Sequence, residues 1–174
     1  MTVNFYKALS LLLEYPSAEL VEHLGELAER IAASEAWTQD ESLVVGQLLS
    51  RLAATPLTEV QADYVRTFDL SAENSLHLTH HLFGDDKNRG PALIDLTQMY
   101  RDYGLELASN ELPDYLPLVL EFAAGLEDAE ARRFLADTTK VLGVIAKNLE
   151  TAGSAYAPLF QLLVRRGTPL KLAA

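Results

Sequence analysis

The sequence predicts a single all-α domain, residues 1–174: a bundle of about seven to eight helices with one long internal loop at about 69–89. Three observations predict it. Apolar residues recur three and four positions apart along most of the chain, the spacing of a helix face and not of a strand. Prolines and glycines fall between these stretches, where they stop helices. Apolar residues make up 49% of 174 residues, enough for one packed core and too few residues for two comfortable domains.

Charge and composition remove several function classes. The chain carries 25 acidic and 14 basic residues, a formal charge of −11. Nucleic acid binding demands a basic footprint, so this charge disfavours it and no nucleic acid partner is expected. A basic peptide partner is compatible with this charge, and so is solubility alone. With no cysteine, disulfides, thiol catalysis, iron–sulfur ligation and Cys-type zinc sites are all ruled out. No apolar run approaches the roughly 20 residues of a membrane span, and Met1-Thr2-Val3-Asn4 opens no basic-then-apolar leader. A cytoplasmic location with no stable membrane insertion is expected.

The elements follow in order. Phe5, Leu9, Leu12 and Leu13 define a first helix that stops at Tyr15-Pro16. Ser17 caps a second, with Leu20, Leu24, Leu27 and Ile31 on one stripe and Glu22, Glu26 and Glu29 opposite. Trp37, in the next connection, reads as a lid on the core. Leu43, Val44, Leu48 and Leu52 mark a third helix, ended by Thr55-Pro56. Thr58 and Gln61 have capping-box spacing, and the short helix they open puts Tyr64 and Phe68 on one face.

From Asp69 to Arg89 the pattern fails. Leu76, Leu78 and Leu82 suit an extended chain, while His77 and His81 equally suit a helical turn. A lone strand has nothing to pair with, so an irregular segment, partly extended or briefly helical, lying across the bundle is expected; loops this long often carry function. Pro91 opens the next helix, with Leu93, Leu96, Tyr100 and Tyr103 as its stripe and Gly104 as its stop. Ala131, Leu135, Thr138, Leu142, Ile145 and Leu149 form a bundle-facing seam, and Tyr156, Leu159, Phe160, Leu163 and Val164 a final helix.

The stretch Glu111-Leu112-Pro113-Asp114-Tyr115-Leu116-Pro117 places two prolines four residues apart, which a helix interior does not tolerate. With Asp114 as N-cap, Tyr115 becomes the first helical residue and Pro117 falls harmlessly in the first turn. A rival register starts at Pro113 and kinks near Pro117. Either one fixes an acid and an aromatic ring at a rigid helix start.

Catalytic constellations are weak. His77, His80 and His81 could share a helical face as metal ligands for a hydrolase, with Asp85 and Asp86 adding oxygens, but no Glu follows a His in zinc-protease spacing. Glu111, Asp114 and Glu121 have no His, Ser or Lys beside them to complete an acid–base set. No glycine-rich phosphate loop is present. What remains is an aromatic and apolar set beside irregular backbone, where a groove could take an amphipathic peptide helix with acids at its rim.

These residues also resemble a known family. Tyr64-Val65-Arg66-Thr67-Phe68 is similar to the Tyr-x-x-Leu-Phe element of the redox-enzyme maturation chaperones, the TorD, DmsD and NarJ group. Glu111-Leu112-Pro113-Asp114-Tyr115 resembles their Glu-x-Pro-Asp-His signature. Leu12-Leu13-Glu14-Tyr15-Pro16, Arg89-Gly90 opening a helix that reaches Tyr100 and Gly104, and the run from Glu111 to Phe122 resemble the NarJ-type nitrate reductase assembly chaperones in particular. Thr67 replaces the usual Leu and Tyr115 the usual His, and members of this branch usually continue past Ala174.

The resemblance implies a chaperone without turnover and without a cofactor of its own. It would bind the N-terminal, leader-like peptide of the nitrate reductase catalytic subunit, assist molybdenum cofactor insertion, and delay membrane docking until the subunit is complete. Molybdenum cofactor biosynthesis proteins would be further partners, and another twin-arginine-exported molybdoenzyme is the alternative client. The expected peptide groove has Tyr64 and Phe68 on one side and Pro113, Asp114, Tyr115 and Leu116 on the other, with Leu82, Arg89, Gly90 and Tyr100 completing it.

Overall fold

The computed structural model describes residues 2–108 and 110–168. Caps and breaks in the sequence set its helix boundaries: α1 (Phe5–Leu13), α2 (Ala18–Glu22), α3 (Leu24–Ala32), α4 (Gln39–Ala54), α5 (Leu57–Tyr64), α6 (Leu78–Phe83), α7 (Arg89–Asp102), α8 (Leu116–Ala124), α9 (Asp128–Ala136), α10 (Thr139–Thr151) and α11 (Ala157–Gly167). The described residues form no strand beyond an isolated antiparallel bridge between His77 and Tyr115, and none of their helices is long and apolar enough to cross a membrane.

The all-α expectation holds, with eleven α-helices among the described residues in place of seven to eight. Two expected helices are broken. The second splits at His23, where ψ is 4° and the backbone N–H turns back to Leu20 at 3.1 Å. The seam from Ala131 to Leu149 splits at Thr138 and Thr139, whose hydroxyls donate to the Leu135 and Ala136 carbonyls at 2.7 and 2.8 Å. Such back-bonding competes with helix propagation. The third addition is α6, the brief helical piece that the 69–89 segment allowed.

Local caps are partly as the sequence indicates. Ser17 accepts from the Leu20 amide at 3.0 Å. The Thr58–Gln61 box does not form: α5 begins at Leu57 behind Pro56, and the Gln61 side chain donates to the Pro16 carbonyl at 2.9 Å. The capping box lies instead at Thr38 and Glu41, which bond each other's backbone amides at 3.2 and 2.9 Å. The α4 stripe is Val45, Leu48, Leu49 and Leu52, while Leu43 is 60% exposed.

Packing centres on two helix pairs, α1 along α8 and α10 along α11. Leu9, Leu12 and Leu13 meet a core that holds Leu116, Leu120, Leu142, Ile145, Leu149, Phe160 and Leu163, all essentially buried. Ser10 fixes the α1–α8 pair by donating to the Pro117 carbonyl at 2.7 Å. Trp37 is the expected lid, with its ring on Phe5 and its indole N–H donating to Val3 at 2.8 Å.

One buried ion pair ties the two ends of this core. Arg166, near the end of α11, donates to both Glu41 oxygens at 2.6 and 2.8 Å and to the Ala36 carbonyl at 3.2 Å, with its guanidinium 4.2 Å over the Phe5 ring. Burial alone would push the Glu41 carboxyl up, but the Arg166 and Thr38 hydrogen bonds outweigh it and hold it below its ordinary 4.5. Removing one partner of such a pair strands the other, at about 3 kcal/mol or more. Arg166→Met is therefore expected to lose about 3 kcal/mol in urea denaturation, with much of it recovered by adding Glu41→Leu. Because Glu41 is depressed, its contribution is complete above pH 4.5 and fades as pH falls through the lower folded value. In Glu41→Gln that acid limb should disappear.

Candidate functional site

The irregular 69–89 segment is built around the helix start that the prolines fix. At the end of α5 the chain makes a π-helical turn, Val65–Asp69, closed by the Leu70 amide donating to Val65 at 3.0 Å. A 3-10 turn follows at Ala72–Asn74, and then the backbone pairs briefly with the residues before α8. The Leu116 amide donates to Leu76 at 2.8 Å, and the Leu78 amide to Asp114 at 3.2 Å.

Asp114 is not the cap of α8. That N-cap is Tyr115, with Pro117 tolerated in the first turn, one residue on from the expected register. The Asp114 carboxylate is 1% exposed and turned toward α6, where His77 provides no side-chain cap of its own. It accepts from the Thr79 amide at 2.9 Å, from the Thr79 hydroxyl, and from His77 Nδ1 at 3.3 Å. A carboxylate only accepts, so His77 carries its proton on Nδ1. Arg89 extends the network by donating from Nε to the Thr79 hydroxyl at 3.0 Å. Tyr100 steadies the same turn through its hydroxyl, which donates to Pro113 at 2.7 Å. Asp114 is thus a cap supplied across the fold to another helix.

The expected groove residues divide into two layers. Tyr64, Phe68, Tyr100, Pro113, Asp114 and Leu116 are buried. Tyr64 and Phe68 do face each other, with ring centroids 5.0 Å apart, but they also pack on Tyr156, so their faces line core and not an open cleft. Tyr115 is half-buried, Arg89 partly exposed, and Leu82 and Gly90 lie on the surface.

What reaches solvent is an aromatic strip. Tyr15, 52% exposed, meets the edge of Tyr64 at 5.7 Å. The Tyr64 hydroxyl donates to Leu13 at 2.7 Å, so the 3.3 Å contact with Tyr115 has Tyr115 donating. The Tyr115 ring in turn lies 5.3 Å from the His77 imidazole, tilted by 32°. Burial raises the Tyr115 hydroxyl pKa, and the carboxylates of Glu111, Glu14 and Asp69 add to it. Three acids from separate parts of the chain therefore act electrostatically on one half-buried ring. Sequence reasoning missed Tyr15, Thr79, Glu14 and Asp69; Glu14 and Tyr15 had a signal, in the Leu12 to Pro16 motif.

The histidines are engaged with protein groups. His81 Nε2 donates to Ser75 at 2.7 Å, His77 is held by Asp114, and the described residues contain no group of three His, Asp or Glu placed to hold a metal.

Burial raises the Asp114 carboxyl, but the His77 and Thr79 hydrogen bonds outweigh it and leave the pKa below its ordinary 3.8. Asp114→Ala removes the acceptor that the Thr79 amide, the Thr79 hydroxyl and His77 share, and is expected to lose about 2 kcal/mol in denaturant. The carboxylate's contribution is complete above pH 3.8 and declines as pH falls through the folded value. Equal stability of parent and Asp114→Ala at neutral pH would refute the capping role.

Comparison with known proteins adds the lineage. Residues 16–161 match the nitrate reductase delta subunit family. The chain is 40% identical over 156 residues to the nitrate reductase molybdenum cofactor assembly chaperone NarJ of Escherichia coli (strain K12), covering 90% of this chain and 66% of that protein. It is 31% identical over 163 residues to the probable assembly chaperone NarW of the same strain, covering 94% and 68%. It is 32% identical over 162 residues to the probable NarJ chaperone of Bacillus subtilis (strain 168), covering 91% and 85%. The chain spans just under two thirds of the length of the first of these relatives. With the match running from the α1–α2 connection into α11, the chain belongs to the nitrate reductase delta subunit family.

Proposed function

We propose that this chain acts in nitrate reductase maturation as an assembly chaperone for molybdenum cofactor insertion, working in the cytoplasm and without turnover. The observation that carries the reading is the 40% identity, over 90% of the chain, to a protein of that name. The client would be the catalytic subunit of nitrate reductase, recognised through its N-terminal, leader-like peptide before the cofactor is in place. Differential binding is the required physics: the immature client must expose more of the recognised segment than the mature one.

The aromatic strip is the proposed peptide site. Tyr15, Tyr115 and His77 offer flat apolar faces, and Glu14, Asp69 and Glu111 offer negative charge to basic residues of the peptide. Arg89, joined to Asp114 through the Thr79 hydroxyl, and the exposed Leu82 and Gly90 would complete the site, while the buried members of the expected groove act by holding Tyr115 and His77 in place. Tyr64 and Asp114 are positioning residues in this reading.

Titration calorimetry with the N-terminal peptide of the catalytic subunit tests it. Tyr115→Ala, with folding checked by circular dichroism, is expected to weaken binding about ten-fold or more. Asp69→Lys should weaken it less and flatten its dependence on salt, because it removes attraction at the rim. If the parent binds the peptide and both variants bind as tightly, the peptide site is elsewhere. If the parent neither binds the peptide nor co-purifies with the cofactor-free client, the chaperone reading itself fails.

A further inference from the structure

One ring nitrogen of the aromatic strip is held in place and left unused. The His77 imidazole is fixed from several directions. Its Nδ1 donates to Asp114 at 3.3 Å, and its ring lies against Tyr115 with centroids 5.3 Å apart. The His77 backbone N–H donates to the Ser75 hydroxyl at 3.2 Å, and the antiparallel bridge to Tyr115 holds the same residue through the main chain. With the proton on Nδ1, the neutral imidazole presents a lone pair at Nε2. That lone pair faces Glu111 Oε2 at 4.0 Å, beyond hydrogen-bond range. Among the described residues, the buried polar side-chain atoms without a partner belong to Tyr6, Asn74 and Tyr156, so the unbonded Nε2 is open to solvent.

A lone pair beside a carboxylate is a pair of acceptors, and acceptors are joined only by a donor. Positive charge on that donor strengthens both bonds. Beyond burial, the Glu111, Glu14 and Asp69 carboxylates raise the adjacent Tyr115 hydroxyl, so the field here is negative. A metal ion would need a third protein ligand, and the described residues place no such group. A side-chain cation from a partner needs none. Glu111 has two carboxylate oxygens with several acceptor positions, so a further donor displaces no bond it already makes.

We propose that His77 Nε2 and Glu111 form a subsite for one basic side chain of the client peptide, a lysine ammonium or an arginine guanidinium. This rests on the peptide-binding reading above and sharpens it. Glu14 and Asp69 attract positive charge from a distance, without regard to where along the peptide it lies. Nε2 accepts only from an N–H near the plane of its ring, so it selects one residue of the peptide and sets the register. His77 is then a specificity-determining residue, and Asp114 positions it by keeping the proton on the other nitrogen.

Titration calorimetry with the N-terminal peptide of the nitrate reductase catalytic subunit tests this at about pH 8, above the ordinary imidazole range. His77→Asn keeps an N–H for Asp114 and removes Nε2. Glu111→Gln keeps the shape and removes the charge. Each basic residue of the peptide is also replaced in turn by glutamine. One such replacement is expected to weaken binding to the parent about ten-fold, and each protein variant to weaken binding of the unaltered peptide by a similar factor. The losses should not add: against either variant, the same replacement should cost less than about two-fold. Exchanging that residue between lysine and arginine then shows which cation the subsite holds. Nitrogen-15 spectra of the imidazole should show Nε2 unprotonated in the free protein and shifted as a hydrogen-bond acceptor when the peptide binds. Circular dichroism checks folding, and the exposed Glu111→Gln carries the cycle if His77→Asn is unfolded. If the parent binds the peptide, but every replacement costs the same in parent and variants and Nε2 does not shift, the subsite is refuted and the peptide reading stands. A protonated Nε2 in the free protein at this pH would make the pair an internal ion pair and also overturn the proposal. If the parent does not bind the peptide at all, both readings fall together.

Discussion

The geometry of the aromatic strip depends on one buried carboxylate. Asp114 stands where a chain segment with little regular structure crosses the start of α8, and it joins the two. A charge this deep is tolerable only with its hydrogen bonds made, and the Thr79 amide, the Thr79 hydroxyl and His77 make them. Each bond also orders something. The amide bond starts α6, the hydroxyl passes order to Arg89, and the imidazole is turned onto Tyr115. The two prolines flanking Asp114 reduce the conformations its backbone can adopt, so less entropy opposes this arrangement. Rigidity at Glu111 to Pro117 therefore serves the fold first and the surface through it.

The periodic helices were legible because their apolar spacing answers to one local geometry. Ser17 as a cap and Gly104 as a stop, with a φ of 77°, were equally readable, since each acts on its own few residues. The misread elements have non-local causes. Asp114 sits one residue before Tyr115 with ideal local cap chemistry, yet its partner is Thr79, 35 residues away. Thr58 and Gln61 have box spacing, but the Pro16 carbonyl claims the Gln61 amide from across 45 residues. The breaks at His23 and Thr138 were hidden for another reason: a broken helix whose halves keep the same face buried shows an unbroken apolar pattern.

The site was less legible than the fold, and the physical reason is burial. Motif residues such as Tyr64 and Leu116 are 3% and 0% exposed, so their pattern reports packing that any relative sharing this core would require. The surface that could meet a partner draws its acids from residues 14, 69 and 111, which no sequence window contains. Tyr115 links the layers. It lies next to the structural acid in the chain, half-buried between Tyr64 and His77, and one hydroxyl bond ties its position to the core.

The π-helical turn at Val65–Asp69 explains how one short segment serves two different surroundings. Tyr64 and Phe68 send their rings inward to Tyr156, while Arg66 and Thr67, between them in sequence, line a cavity on the other side. Closing the turn from Leu70 to Val65 adds a residue to the ladder and ends the helix directly afterwards, at Asp69. That leaves Asp69 exposed, with its charge felt at Tyr115, and the chain goes on into the 3-10 turn that buries Asn74. A regular α-helical turn would keep the inward pair, since positions four apart share a face. It would also close one residue earlier, rotating Asp69 and every later residue about the helix axis. The irregular turn therefore sets both the direction in which the chain leaves α5 and the faces that Arg66 and Thr67 present.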